Sequence, residues 1–441
     1  MHLPGSRWLV IGCVSALLGC STAAPGWRHA HGDLPGHGFL DVRSGYAVSP
    51  AWKSSPLPIG GSSPVVGRLP DGREAVYLGT ADARLVALDG ADGRVLWQAE
   101  LGSSAGRSSI VAAPSVAADG GIVAVVTTEL PGGGLRSTLH KIGRSGERRW
   151  SLPFPEAGFS LSAPRAVAFA ANDLVLAVGA VERPQGLRYT LLVVHDAGSE
   201  ASLFELRDMG ECPADGAATE RLRRSWRLLS GPAGGGTAAA DLRPEPSPSA
   251  VPNGSVLLVA AIDPLCRAGV WEWDGRRLST VWKLTHGGEP HSSPAILANR
   301  LVVFGRADGR LLGYDAQTGV KMWEYDAGEP IMSTPAASAA GVLYAVSLQH
   351  LHAVDAATGA AAPAGPRRLK LHGSTLSSPA VTADCVYLPG REMLTVSHTF
   401  NVRSHNSDFA GNGLSSPAVG ASGSVYVVAA DGAVWKYKGS R

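Results

Sequence analysis

The residues of this chain that could bind or react are sparse: thirteen His, five Cys and a few Asp that recur ahead of Gly. His29, His31 and His37 form the densest imidazole group, and imidazoles can hold zinc. Zinc sites draw ligands at fixed spacing from ordered chain, whereas this group lies in a Pro- and Gly-rich stretch with no Cys or carboxylate partner at such spacing, so solvated residues are expected. His350 and His352, two apart, share one face of a strand without a third ligand nearby, and His398 and His405 are equally unsupported. Asp89, Asp315 and Asp355 could supply oxygen to calcium, which needs several converging ligands. Each precedes a Gly by four residues, the spacing of a turn in which the carboxylate bonds nearby backbone. The basic run RLRRSWR, Arg221 to Arg227, reads as an outer strand with solvated arginines. With a net charge of +2 and no sustained basic surface, nucleic acid is a poor partner.

The element that positions these residues is the stretch VYLGTADARLVALDGADGRVLW, Val76 to Trp97. It holds three short apolar runs, each too short for a helix and each ended by turn residues. VVFGRADGRLLGYDAQTGVKMW, Val302 to Trp323, repeats its order of strand, Asp-Gly turn, strand, Asp-x-x-Thr-Gly turn and strand ending in Trp. The chain is therefore a series of short antiparallel meanders. Hydrophobic content of 45% against 17% charge is ample for a core, and 55 Gly with 30 Pro fit many turns.

A Ser- or Ala-rich tripeptide ending in Pro counts the units, at Pro64, Pro114, Pro164, Pro248, Pro294, Pro335, Pro379 and Pro417. Pro suits the start of a strand, and small neighbours suit strands crowded about an axis. The spacing is 38 to 50 residues except for 84 between Pro164 and Pro248, so the third unit carries extra chain. A period of this length with four short strands per unit predicts an all-β fold: an eight-bladed β-propeller of four-stranded antiparallel blades. Trp97, Trp150, Trp226, Trp282 and Trp323 mark the outer strands and are expected to pack blade on blade. Trp52 has the same relation to Pro64 but no unit of its own, and the unit at Pro417 supplies only three strands. The strand around Trp52 is thus predicted to close the ring. Seven blades result if the unit at Pro379 merges with a neighbour.

The pattern of apolar strand, Ala-x-Asp-x-x-Thr-Gly and Trp, best kept at Tyr314 to Trp323, Ala353 to Gly359 and Val76 to Trp97, resembles the quinoprotein-type (PQQ-like) repeat. Leu17-Leu18-Gly19-Cys20 after the apolar run Trp8 to Leu18 resembles a bacterial lipoprotein signal. This implies lipid on Cys20 and, with Ser21 following, the outer membrane. Together these resemble BamB-type lipoproteins of the β-barrel assembly machinery. The resemblance implies a non-catalytic, periplasm-facing scaffold without cofactor or metal, monomeric, touching the membrane through its lipid alone and binding envelope proteins. Two other readings stand beside it. Some proteins with this repeat are dehydrogenases that hold pyrroloquinoline quinone and calcium, although their adjacent Cys pair is missing here; the other is a periplasmic or surface ligand-binding protein. The expected organisation is a signal peptide over 1–19, lipidated Cys and flexible tether over 20–48, and propeller over 49–441 with an insertion at about 207–245. In an oxidising compartment, Cys212 (GECPADG) and Cys266 (DPLCRAG), both in turn-like loops, are the natural disulfide pair. The bridge needs Ala201 to Leu206 as the fourth strand of unit three; a fourth strand at Arg223 to Leu229 would put Cys212 on the opposite rim. Cys385, in TADCVYL, is expected to be a buried thiol.

Overall fold

The computed structural model describes residues 27–440 apart from 31, 34–35, 46, 154–158, 161–166, 169–173, 184–185, 214–248, 254–255, 263–266, 286–291, 299, 363–367, 374 and 412–413. Among the described residues there is no helix, and the strands form eight antiparallel blades closed into an eight-bladed β-propeller. Blade one is Val65–Arg68, Glu74–Gly79, Arg84–Asp89 and Val95–Glu100; blade five is Ala295–Ile296, Leu301–Gly305, Arg310–Asp315 and Lys321–Asp326. These are the two sequence copies. In both, the second and third strands are almost wholly buried, and the fourth alternates between exposed and covered positions. Pro64, Pro114, Pro294, Pro335, Pro379 and Pro417 each stand immediately before an innermost strand, where a missing N–H costs no ladder bond.

The unit at Pro379 forms its own blade seven (Ala380–Thr382, Cys385–Pro389, Met393–Ser397, Val402–Asn406), so the seven-blade alternative falls. Blade eight takes Ala418–Val419, Val425–Val428 and Val434–Ser440 from one end of the propeller and its outer strand, Ala47–Lys53, from the other. Trp52 lies opposite Lys436, which closes the ring as the sequence predicts. The meander gives each blade two ends. The lower rim carries the turns between strands one and two and between three and four; the upper rim carries the hairpins between two and three and the exits from strand four.

Two expectations about organisation need correction. Residues of the supposed flexible tether are packed as a strap under the lower rim. Trp27 is 1% exposed within the core shared by blades seven, eight and one. The strap then makes backbone bonds to innermost strands around the ring: Val66 N–H to Trp27 O (2.7 Å), Val116 N–H to Arg28 O (2.8 Å), Ala337 N–H to His37 O (2.8 Å) and Val381 N–H to Gly38 O (2.7 Å). Phe39–Leu40 pairs parallel with Ala380–Thr382 as a fifth strand of blade seven. A tether without sequence period can still be ordered when it satisfies sheet ends that would otherwise be orphaned.

The second correction concerns the insertion. Part of the surplus in unit three is strand and not loop: Leu174–Arg183, Gly186–Asp196 and Ala201–Pro213 run 10, 11 and 13 residues, against 6 in the corresponding strands of blade one. Residues 207–213 of the expected insertion therefore belong to the fourth strand of blade three. Cys212 lies in that strand, opposite Leu187, and not in a loop. The segment at Trp226, the rest of the insertion, Cys20 and Cys266 lie outside the described residues. Because the lower ends of these strands stay in the ring, the added length projects from the upper rim as a paddle, with Phe159–Ser160 paired along its edge at Val181 and Ala180.

Candidate functional site

The outer-strand tryptophans lock each blade to the next by one recurring contact. The indole N–H of Trp52 donates to Gly90 O (3.3 Å), Trp97 to Arg144 O (2.7 Å), Trp282 to Ala316 O (2.9 Å) and Trp323 to Ala356 O (3.1 Å), each acceptor in the three–four turn of the following blade. Trp150 donates instead to the carboxylate of Asp196 (3.0 Å), which also holds the buried Lys141 (2.6 Å). The turn glycine makes room for the ring. At Gly359, φ is +70°, and an added Cβ would lie 2.7 Å from Trp323; Gly93, Gly146 and Gly319 stand in the same relation to Trp52, Trp97 and Trp282. The Asp of each turn is bound within it: Asp315 accepts from Gln317 N–H, Thr318 N–H and Thr318 Oγ1, and Asp355 from Ala357 N–H, Thr358 N–H and Thr358 Oγ1. Those carboxylates sit at the periphery of the ring and are taken.

The Ser-Ser-Pro motifs form a second, inner lock that sequence reasoning missed. Ser293 N–H donates to Thr334 Oγ1 (3.2 Å), Thr334 N–H to Ser378 Oγ (2.9 Å), Ser378 N–H to Ser416 Oγ (3.0 Å) and Ser416 N–H to Ser63 Oγ (2.9 Å), linking blades five, six, seven, eight and one in succession. The repetition of a hydroxyl residue immediately before Pro64, Pro294, Pro335, Pro379 and Pro417 was the available signal for it. Residues three ahead of the motif Pro meet over the axis together with Leu135, at the upper start of the third strand of blade two. Val111 and Leu135 of blade two cluster with Met332 of blade six and Leu376 of blade seven, all buried, with Leu348 and Leu414 against them. Blades two and six are opposite one another, so the cluster spans the upper mouth of the channel while the strap crosses the lower one.

Among the described residues, His29, His37, His350, His352 and His398 are engaged within the fold. His352 is held by Tyr325 Oη (3.1 Å) and Ser347 Oγ (3.0 Å), and burial lowers its pKa to about 4. His350 pairs with Glu329 (3.0 Å). His398 sits between Tyr344 Oη (2.8 Å) and Thr382 O (3.0 Å). His29 is buried with its pKa lowered to about 3, and His37 bridges Asp33 and Ile296 O. His31 lies outside the described residues. Cys385 is a buried free thiol. On the upper rim a groove between blades six and seven has Leu371, Leu388 and Leu394 in its floor and His372, Glu392 and His405 at its edge; Glu392 lies 3.6 and 3.4 Å from the two imidazoles. It offers an apolar bed with polar margins, the composition of a protein-docking site.

The family model described as outer membrane protein assembly factor BamB matches residues 49–130 and 223–440. The chain belongs to the BamB family. The match takes in both the N-terminal strand and the C-terminal strands that close the ring, and it leaves out residues 131–222, where the paddle of blade three lies. No curated protein sequence gives a match. Among solved structures, BamB from Moraxella catarrhalis superposes with a TM-score of 0.60 at 15% identity, covering 89% of this chain and all of that one. A europium-containing methanol dehydrogenase gives 0.64 at 13% identity over 93% of this chain and 90% of that one. Quinohemoprotein alcohol dehydrogenase from Comamonas testosteroni gives 0.62 at 12% identity, with 95% and 81% covered. Likeness at this identity concerns the fold alone. An axial quinone with three carboxylates would need cations and free donors, and its metal would need converging oxygen ligands. In this BamB-family chain the upper mouth is filled by Val111, Leu135, Met332 and Leu376, and among the described residues no three His, Cys, Asp or Glu converge on a metal position. These residues do not fit the group.

Proposed function

We propose that this chain is a non-catalytic scaffold in outer-membrane protein assembly, anchored by lipid on Cys20 and facing the periplasm. The observation that carries the reading is the family match over both parts of the ring closure; an axis closed by apolar side chains above and by the strap below supports it. The upper rim, with its paddle and its groove, is the docking face. The fourth strand of blade three ends on that rim at Pro213, and the second strand of blade four ends and its third begins on the same rim, at Ile262 and Arg267. A Cys212–Cys266 bridge would tie the paddle to blade four, and peptide mapping without reduction tests it. The function is tested by cross-linking intact envelopes and purifying the full-length chain. Barrel-assembly proteins are expected with it, and replacing Cys20 with Ser should release it from the membrane. Failure to recover them, together with binding of added quinone and calcium and oxidation of an alcohol or aldose, would favour a dehydrogenase. Uptake of a small ligand alone would favour a periplasmic or surface binding protein.

A further inference from the structure

The lower rim holds a cavity of about 270 Å³ where blades eight, one and two meet, and its chemistry is unlike that of the upper groove. Three arginines line it: Arg28 from the strap, Arg68 from the end of the first strand of blade one and Arg144 from the three–four turn of blade two. Among the described residues their guanidinium groups bond only to carbonyl oxygens. Arg28 Nε and Nη2 both reach Val116 O (3.1 and 3.0 Å), Arg68 Nη1 reaches Gly72 O (3.3 Å) and Arg144 Nε reaches Asp119 O (3.0 Å). Several N–H groups on each are left over.

The carboxylates nearby are engaged elsewhere. Glu74, in the wall, accepts from Tyr426 Oη (2.9 Å) and Ser422 (3.2 Å). Asp119 is held by Lys141 (2.8 Å) and Arg149 (3.3 Å) and offsets only part of the charge on Arg28. Burial, with the like charge of Arg144, pulls the Arg28 pKa below its ordinary value, the mark of a cation short of counter-charge. A further donor stands behind the wall. Tyr77 Oη is buried without a hydrogen-bond partner among the described residues, and its ring lies against Gly67, where an added Cβ would come within 2.9 Å. Burial raises its pKa to about 12, so it keeps its proton.

We propose that this cavity binds a phosphate group through Arg28, Arg68 and Arg144. Three guanidinium groups against two carboxylates that are already occupied suit a dianion better than a single carboxylate, and guanidinium matches phosphate oxygens in pairs. The volume exceeds what phosphate fills and leaves room, beside Gly67, Gly120 and Ala421, for the group it esterifies. That group is either a small soluble alcohol or the headgroup of a phospholipid. The second source draws on the lipidation of Cys20, since seven residues from there to Trp27 span at most about 25 Å; the site itself does not depend on it.

The test uses the full-length chain in non-ionic detergent, titrated calorimetrically with inorganic phosphate and glycerol phosphate against chloride at equal ionic strength. Its second arm is co-sedimentation with phosphatidylglycerol vesicles, with phosphatidylcholine vesicles correcting for any anchor. Arg68→Gln, at an exposed strand end, and Arg144→Gln, on a turn, are compared with wild type after their thermal unfolding is checked. Saturable binding of the soluble phosphates, weakened at least about tenfold in both variants, is the expected result for a soluble ligand. Preference for phosphatidylglycerol alone, lost in both variants, assigns the site to a lipid headgroup. Binding in neither arm, or binding that both variants retain, overturns the proposal, and neither outcome bears on the scaffold reading.

Discussion

Blade five and blade three are built on one plan and differ in which end is free to change. Blade five has strands of five and six residues, and its lower end carries the Asp315 turn that receives Trp282. Blade three keeps the same lower end, with Asp196 receiving Trp150, yet its strands reach 10 to 13 residues. The locks between blades lie at the lower turns and along the inner Ser ring. On the upper rim the recurring link is a single backbone bond from the chain entering the next blade, Ile110 N–H to Thr80 O (2.9 Å) and Ile331 N–H to Arg306 O (3.0 Å), so length added there disturbs few of the contacts that hold the ring. A propeller of this design can therefore vary its upper rim at small cost to its stability.

The largest expected effect comes from removing what blade eight borrows. Deleting Ala47–Lys53 strips the partner from Val434–Ser440 and the indole from Gly90. A loss of more than about 5 kcal/mol, with aggregation through the open edge, should appear in thermal unfolding with light scattering. Unchanged melting would mean that closure is not where the ring is held. Next, Trp323→Ala empties the joint between blades five and six and should cost about 3–5 kcal/mol in urea unfolding. A cost below about 1 kcal/mol would show that the Ser ring alone holds those blades.

The same joint has a pH-dependent component. His352 takes a hydrogen bond from or gives one to Tyr325 of blade five and is buried, with a folded pKa of about 4 against an ordinary value near 6.5. The unfolded state therefore binds the proton first. The contribution of His352 is complete above pH 6.5 and falls away as pH drops toward 4, by about 3 kcal/mol at most. His29 and His140 are depressed for the same reason and add to the acid loss. His352→Gln should flatten, without abolishing, the fall of the urea midpoint between pH 7 and 4; an unaltered slope would remove His352 from the account. The smallest expected effect lies in the paddle. Replacing Val181–Arg188 with a two-residue turn should move stability by less than about 1 kcal/mol while reducing recovery of envelope partners, and a large loss of stability would break the contrast between the two blades.

The repeat made the ring legible, because a hairpin such as Val302 to Trp323 fixes its own register through turn chemistry and recurs often enough to be counted. The surplus in unit three was misread as loop although its signal was present: LVLAVGAV and GLRYTLLVV flank Arg183-Pro184-Gln185-Gly186, two apolar strands about a turn. The strap could not be read at all. Its order comes from backbone groups donated by Val66, Val116, Ala337 and Val381 to carbonyls of a segment with no pattern of its own. Likewise the phosphate cavity draws one arginine from each of three distant segments, and no local spacing announces such a meeting.

The closing strand also sets the order of folding. Pro50 pairs with Tyr437, 387 residues away, whereas within the blades the other ladders join neighbouring runs, the short pairing of Phe39–Leu40 with Ala380–Thr382 being the other distant one. Local hairpins form in microseconds, but a pairing of this separation carries a large loop-closure cost and comes late. Until then Trp52 has no seat and blade eight shows a bare edge. A chain cut short before Val434 would keep seven blades and still never become a ring, so the final joint is a check on completeness made by the molecule itself.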